Sequence, residues 1–249
     1  MPAAPLLLLD QIDSTNAEAR RRAEAGETGP LWIAARRQTG GRGRRGRAWE
    51  SDTGNLFATL LMTTPRPPAE AAQVTFVAAL AVADLLDSYA PPSLVTIKWP
   101  NDVMLAGEKA SGVLVESGAH PSGGLWLAVG IGVNLAHAPS GTERPATALA
   151  HHLRGDVNAP PSVEIAAARL AEAFAIWLER WESLGFEPVL DAWRARTPGL
   201  DGPAVARLGH ETVTGRAEGV AADGALRVRL ADGTLRRISA GDVFVGEAA

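Results

Sequence analysis

Only two of the 24 basic residues in this chain are lysine, Lys98 and Lys109. Either these are survivors of an arginine-rich coding composition, or two sites need a compact ammonium that a planar guanidinium cannot replace. Residues 96–102, T-I-K-W-P-N-D, end an apolar run in a Trp-Pro break. Asn101 and Asp102 there could hold a hydroxyl, a nucleobase or a hydrated Mg2+; a turn with a Lys98–Asp102 ion pair is the plainer alternative. Residues 107–116, G-E-K-A-S-G-V-L-V-E, put Lys109 just before a strand in which Gly112 would let a ligand lie against the backbone. Residues 130–134, G-I-G-V-N, repeat that logic with Asn134 as the polar terminus. Sheet ends lined by Lys, Asn, Asp and Gly suit a small ligand.

A second cluster occupies residues 38–49, Q-T-G-G-R-G-R-R-G-R-A-W, which set Arg42, Arg44, Arg45 and Arg47 among Gly40, Gly41, Gly43 and Gly46. Gly41, Gly43 and Gly46 spell G-x-G-x-x-G, but a dinucleotide fingerprint needs a helix at the third glycine and an acid about 20 residues on. Here a turn-rich segment follows, position 66 is Arg, and there is no G-K-[ST] for a Walker loop. Three readings remain: a solvated loop, an RGG-like nucleic-acid segment, or a lid whose backbone N–H groups and arginines close on phosphates.

The elements that must position these groups follow from the apolar pattern. Strands are expected at 6–12, 31–35, 55–62, 94–99, 103–105, 112–116 and 125–133, the fifth and sixth as a hairpin. Helices are expected over D-S-T-N-A-E-A-R-R-R-A-E-A-G, residues 13–26, where Thr15 and Glu18 fit a capping box and Gly26 is the stop, and at 69–89, 163–184 and 188–196. Trp177, Trp181 and Trp193 lie on the last two. After the linker signal at 197–203 the grammar changes to short strands separated by G-H and A-D-G turns, a β-module of under 50 residues. We divide the chain into a larger domain that carries these motifs, residues 1–200, and a C-terminal β-domain, residues 201–249.

Hydrophobic residues make up 46%, enough for a large core. The absence of cysteine excludes disulfides, cysteine zinc sites and thiol catalysis. The histidines, His120, His137, His151, His152 and His210, form no metal-ligand pattern and read as surface residues. The apolar run 6–9 is too short for a signal peptide or a membrane span, so a cytoplasmic protein is expected. A net charge of −4 argues against broad nucleic-acid binding.

Taken together, S-T-N at 14–16, the Gly/Arg run, K-W-P-N-D at 98–102, K-A-S-G-V-L-V-E at 109–116 and G-I-G-V-N at 130–134 resemble, in order and spacing, the bacterial biotin protein ligases. The resemblance covers nearly the whole chain. It implies an α+β fold: a mixed sheet flanked by helices, like the class II aminoacyl-tRNA synthetase cores, followed by a small SH3-like β-barrel. It implies ATP-dependent formation of biotinyl-5′-AMP and transfer of biotin to a lysine of the biotin carboxyl carrier domain of acetyl-CoA carboxylase, with Mg2+ accompanying ATP. By the same resemblance Ser14, Thr15, Asn16, Gln38, Gly41, Gly43 and Gly112 would bind biotin, and Arg42 and Arg44 would close over biotin and the adenylate. Lys109 would stand where the carboxylate meets the α-phosphate, and would be catalytic with Arg42 and Arg44. Arg44, Arg45, Arg47, Trp49, Lys98, Asn101, Asp102 and Asn134 would surround the nucleotide, with any metal near Asp102. Since S-T-N begins at position 14, the resemblance points to the ligase-only type without a DNA-binding domain, a monomer or homodimer with neither DNA nor membrane as partner. A lipoate protein ligase, with the same two-step chemistry, is the nearest rival; a non-catalytic regulatory protein is the rival from another class.

Overall fold

The computed structural model describes residues 4–142, 144–239 and 241–245. Seven strands form the first sheet: β1 (Leu6–Ile12), β2 (Leu31–Gln38), β3 (Leu56–Thr64), β4 (Val95–Lys98), β5 (Asp102–Leu105), β6 (Glu108–Ala119) and β7 (Leu125–Val133). Their spatial order is β1-β2-β3-β7-β6-β5-β4. β1 and β2 run parallel and the remaining neighbours antiparallel, so the sheet is mixed.

Period-two alternation sends successive side chains to opposite faces. Trp32, Ala34, Leu60 and Val129 enter the larger core, beneath α3 (Val74–Asp87) and α4 (Val163–Leu184). Ile33, Leu61 and Ala128 face Ala19 and Ala23 of α1 (Thr15–Glu24). The exposed remainder of that second face is the floor of the site described below.

Several boundaries differ from the sequence reading. Ser14, not Thr15, caps α1, its hydroxyl accepting from the Ala17 N–H; the Thr15 hydroxyl is committed to Gln38 across the gap to β2. The single helix expected at 69–89 is α2 (Pro68–Ala71) followed by α3. Tight i→i+3 bonds from Thr75 to Ala72 and from Phe76 to Gln73 separate them, and the Gln73 side chain accepts from the Trp181 indole. The stretch 68–87 is long and apolar enough to cross a membrane, but most of it is buried in the core. β6 begins at Glu108, so Lys109 lies inside the strand rather than before it. His120 is buried, its Nδ1 2.7 Å from the Ser122 hydroxyl in the β6–β7 hairpin, and is not a surface residue.

After α5 (Glu187–Ala195) come β8 (Pro203–Arg207), β9 (Thr212–Val220), β10 (Leu226–Arg229), β11 (Leu235–Ile238) and β12 (Asp242–Val245). They make a second, antiparallel sheet in the order β11-β10-β9-β8-β12, the small C-terminal β-domain. It is docked on the first domain: the Trp99 indole donates to the Gly224 carbonyl at 3.0 Å, and Arg194 donates to the Val220 carbonyl at 2.7 Å.

Candidate active site

A cavity of about 330 Å3 opens on the α1 side of the large sheet. One wall is the N-terminus of α1. Asp13 accepts from the Ser14 N–H at 2.7 Å and from both terminal nitrogens of Arg21 at 2.8 Å. The Arg21 guanidinium, helped by that N–H, holds the Asp13 carboxyl down to about 2. Thr15 donates its N–H and its hydroxyl to Gln38 Oε1, at 2.8 and 3.1 Å. Gln38 Nε2 donates to the Ser51 hydroxyl, which donates to the Trp49 carbonyl. Buried Thr59 sits between Thr15 Oγ1 (2.8 Å) and Asn16 Oδ1 (2.7 Å), and Asn16 Nδ2 donates to Glu116 at 2.8 Å and to the Leu114 carbonyl at 3.2 Å. The S-T-N motif is therefore a hydrogen-bonded wall whose polar groups hold one another.

The floor is made of glycines. Gly112 and Gly132 are paired across β6 and β7, and Gly130 lies opposite Leu114. A Cβ on Gly132 would stand 2.6 Å from the Trp49 indole, and one on Gly112 would stand 3.1 Å from it. At Gly130 a Cβ would collide with the Asn16 amide. Only bare backbone lets Trp49 and Asn16 lie this close.

Lys109 reaches this floor because of a bulge. Val103 pairs with Ser111 but Met104 pairs with Lys109, leaving Ala110 as the extra residue. In a regular strand Lys109 and Gly112 would point to opposite faces. The bulge re-aims Lys109, so that its ammonium would lie 3.3 Å from a Gly112 Cβ and stands 2.6 Å from Asp102 and 5.4 Å from the centre of the Trp49 ring. Asn134 lies beside it, donating to the Thr147 carbonyl at 3.0 Å.

The Gly/Arg run covers this floor as a small hairpin rather than a helix. Trp49 N–H bonds to the Gly41 carbonyl and Gly43 N–H to the Arg47 carbonyl, around a turn with Arg45 at φ 59° and Gly46 at φ 73°. Its arginines reach different elements. Arg42 lies 3.9 Å from Glu116. Arg44 donates to Asn101 at 2.9 Å and to the Gly241 carbonyl at 3.4 Å, and Arg45 donates to the Arg207 carbonyl at 2.9 Å. Asn101 is engaged at both ends, since its amide nitrogen donates to the Val113 carbonyl at 2.8 Å.

Of the residues singled out in the sequence, Ser14, Thr15, Asn16, Gln38, Arg42, Gly43, Arg44, Arg47, Trp49, Asn101, Asp102, Lys109, Gly112 and Asn134 all line the cavity. Three do not line it. Gly41 closes the base of the hairpin, where a Cβ would collide with the Ser51 hydroxyl and the Trp49 carbonyl; Arg45 points to the C-terminal module; and Lys98 lies 5.3 Å from the Phe244 ring, although it is opposite Asp102 in register. Sequence reasoning left out Ser51, Thr59, Glu116 and Arg144, and read Gly130 and Gly132 only as part of the G-I-G-V-N motif. The alternation in G-I-G-V-N was a signal for the two glycines, whereas nothing local marks Ser51 or Thr59. Among the described residues no three His, Asp or Glu side chains cluster as metal ligands, and Asp102 is engaged by Lys109. The cavity is thus cationic, with Arg42, Arg44, Arg47, Lys109 and Arg144 against Glu50 and Asp102, above a flat floor beside a neutral polar wall. That arrangement suits a slender, partly apolar ligand joined to an anion.

Comparison with known proteins agrees with this geometry. Residues 8–135 match the biotin/lipoate A/B protein ligase family, and residues 205–246 match the biotin protein ligase C-terminal domain. The biotin–[acetyl-CoA-carboxylase] ligase of Paracoccus denitrificans is 42% identical over 96% of this chain and all of its own length. Among solved structures, the biotin protein ligase of Aquifex aeolicus in complex with biotin and ATP covers 97% of this chain and 99% of its own, at TM-score 0.80 and 24% identity. That of Leishmania major in complex with biotinyl-5-AMP covers 95% and 99%, at TM-score 0.62 and 25% identity.

Proposed function

This chain belongs to the biotin/lipoate A/B protein ligase family, and from that premise we propose that it is the ATP-dependent biotin–[acetyl-CoA-carboxylase] ligase, forming biotinyl-5′-AMP and passing biotin to a lysine of the carrier domain. The observation that carries this reading is the placement of Lys109, turned by the Ala110 bulge onto the Gly112–Gly132 floor beneath the Gly/Arg hairpin.

Biotin's carboxylate is a poor acyl donor until an oxygen is joined to the α-phosphorus of ATP. In that step a carboxylate oxygen bonds to the α-phosphorus, and the bond to the bridging oxygen breaks with its electron pair leaving on pyrophosphate. Negative charge collects on oxygens throughout, so fixed cations dominate catalysis. Lys109 supplies a point charge to the attacking carboxylate and the α-phosphate together; Arg42, Arg44 and Arg47 face the phosphates. Ser14, Thr15, Asn16 and Gln38 receive the ureido end of biotin; Trp49, expected from the sequence beside the nucleotide, lies on the glycine floor, and with it flanks biotin's apolar body. In the second step the acceptor lysine amine attacks the acyl carbon and AMP departs. The mixed anhydride hydrolyses in water, and the Gly/Arg hairpin is its cover.

Mg2+ would enter with ATP as part of the substrate, and Asp102, which lines the cavity beside Lys109, would be an acid available to it. The carrier domain is the macromolecular partner of this reading, which places the protein in the cytoplasm as a monomer or homodimer, with neither DNA nor membrane as partner. The deciding assay supplies ATP, Mg2+, a carrier domain and labelled biotin or lipoate. Labelling with biotin and not with lipoate is expected; labelling with lipoate, or with neither, overturns the reading.

A further inference from the structure

The lining of the cavity includes a cation that lies in none of the sequence motifs. Arg144 lines the cavity from the segment that follows β7, and it is half-buried there. Its backbone is anchored at once by the residues after it. Lys109 N–H donates to the Pro145 carbonyl at 3.1 Å, Thr147 N–H donates to the Lys109 carbonyl at 3.0 Å, and Ala146 bridges to Lys109 in parallel. Arg144 is thus registered, one residue removed, on the backbone of the central lysine.

Its side chain is held from the other side. The guanidinium carbon stands 3.8 Å from the centre of the Phe244 ring on β12. Among the described residues no carboxylate lies within ion-pair distance of Arg144. An aromatic ring positions a cation while leaving its charge in place, whereas a carboxylate would offset it. Arg144 thereby differs from Arg42, which has Glu116 nearby, and from Lys109, which has Asp102.

We propose that Arg144 binds the β- and γ-phosphates of ATP during adenylate formation and that Phe244 is its positioning residue. The proposal rests on the ligase reading. The carboxylate of biotin meets the α-phosphate at Lys109, so the rest of the triphosphate lies in the same cavity, which Arg144 lines from the segment whose backbone is bonded to Lys109. The charge that develops on the departing pyrophosphate is the charge Arg144 offsets. Pyrophosphate has left before the acyl group is transferred, so Arg144 acts in the first step and not in the second.

The two steps are separable by experiment. Pyrophosphate release is measured against ATP concentration, and transfer to the carrier domain is measured in a single turnover from supplied biotinyl-5′-AMP. Arg144→Gln is expected to raise the KM for ATP roughly tenfold or more, with transfer from supplied adenylate unchanged within about twofold. Arg144→Lys should restore part of the ATP affinity. Phe244→Leu keeps an apolar side chain but removes the ring, and should raise the KM for ATP less than Arg144→Gln does. An unchanged KM for ATP in Arg144→Gln, or an equal loss in both steps, overturns the proposal. Failure of the wild-type chain to release pyrophosphate with biotin would instead overturn the ligase reading.

Discussion

Gly112 and Gly132 face each other across β6 and β7, and the Trp49 indole lies on both. The contact leaves no room for a side chain: a Cβ on Gly132 would stand 2.6 Å from the indole. Gly132→Ala is therefore expected to push Trp49 off the floor and to raise the KM for biotin about tenfold or more. Such overpacking costs roughly 1–3 kcal/mol of stability, which thermal unfolding would register beside the pyrophosphate-release kinetics. A biotin KM equal to wild type would show that Trp49 is no part of the biotin site.

The two lysines separate in the structure. Lys109 stands in the cavity and Lys98 outside it, at the Phe244 ring. A guanidinium at position 109 is wider than the ammonium and would have to displace Asp102, Trp49 or the Gly112 backbone, all close to it. Lys109→Arg should lower adenylate formation by about 100-fold or more, as loss of a positioned charge-stabilising group does, while Lys98→Arg costs far less. Near-wild-type pyrophosphate release by Lys109→Arg would refute the point-charge role.

Much of this site was legible because its residue types are dictated by chemistry that is local in the chain. A ligand pressed against backbone demands glycine, and an anion demands Lys or Arg beside it, so 38–49, 98–102 and 109–116 announced themselves. What was not legible depends on register. Nothing in A-S-G says that Ala110 is bulged, yet that extra residue decides which face Lys109 occupies. Thr59 sits in an apolar strand and reveals its function only when Thr15 and Asn16 are brought to it from α1. The cap of α1 was displaced by one residue for the same reason, since Thr15 bonds to Gln38 across 23 residues of sequence. Arg144 lies in a turn-rich stretch, and its partner Phe244 is in the other domain.

The Gly/Arg hairpin meets the rest of the protein through side chains: Arg44 at Asn101 and the Gly241 carbonyl, Arg45 at the Arg207 carbonyl, and Arg42 near Glu116. If the hairpin is the cover of the adenylate, phosphates beneath it add charge-assisted bonds and hold it down. Tryptic cleavage after Arg42, Arg44, Arg45 or Arg47 should slow several-fold when biotin and ATP are added together. Equal cleavage rates with and without substrates would remove the lid from the mechanism.

Asp13 links the start of α1 to acid stability. Its carboxyl is held at about 2 against an ordinary 3.8, first by the Arg21 guanidinium and then by the Ser14 N–H. Between those two values the unfolded chain binds the proton more readily than the folded one, so this contribution is complete above pH 3.8 and is lost as the pH falls toward 2. The side chain is 53% exposed, and solvent screening limits the effect to about 1 kcal/mol or less. Asp13→Asn should therefore lower stability at neutral pH by that amount and flatten the fall in stability between pH 4 and 2, as read by urea unfolding at each pH. Because Asn keeps an Oδ1 that can accept from the Ser14 N–H, the variant should leave the KM for biotin and the KM for ATP near wild type at neutral pH. Parallel stability curves for the two proteins across that pH range would show that the pair contributes nothing to acid stability.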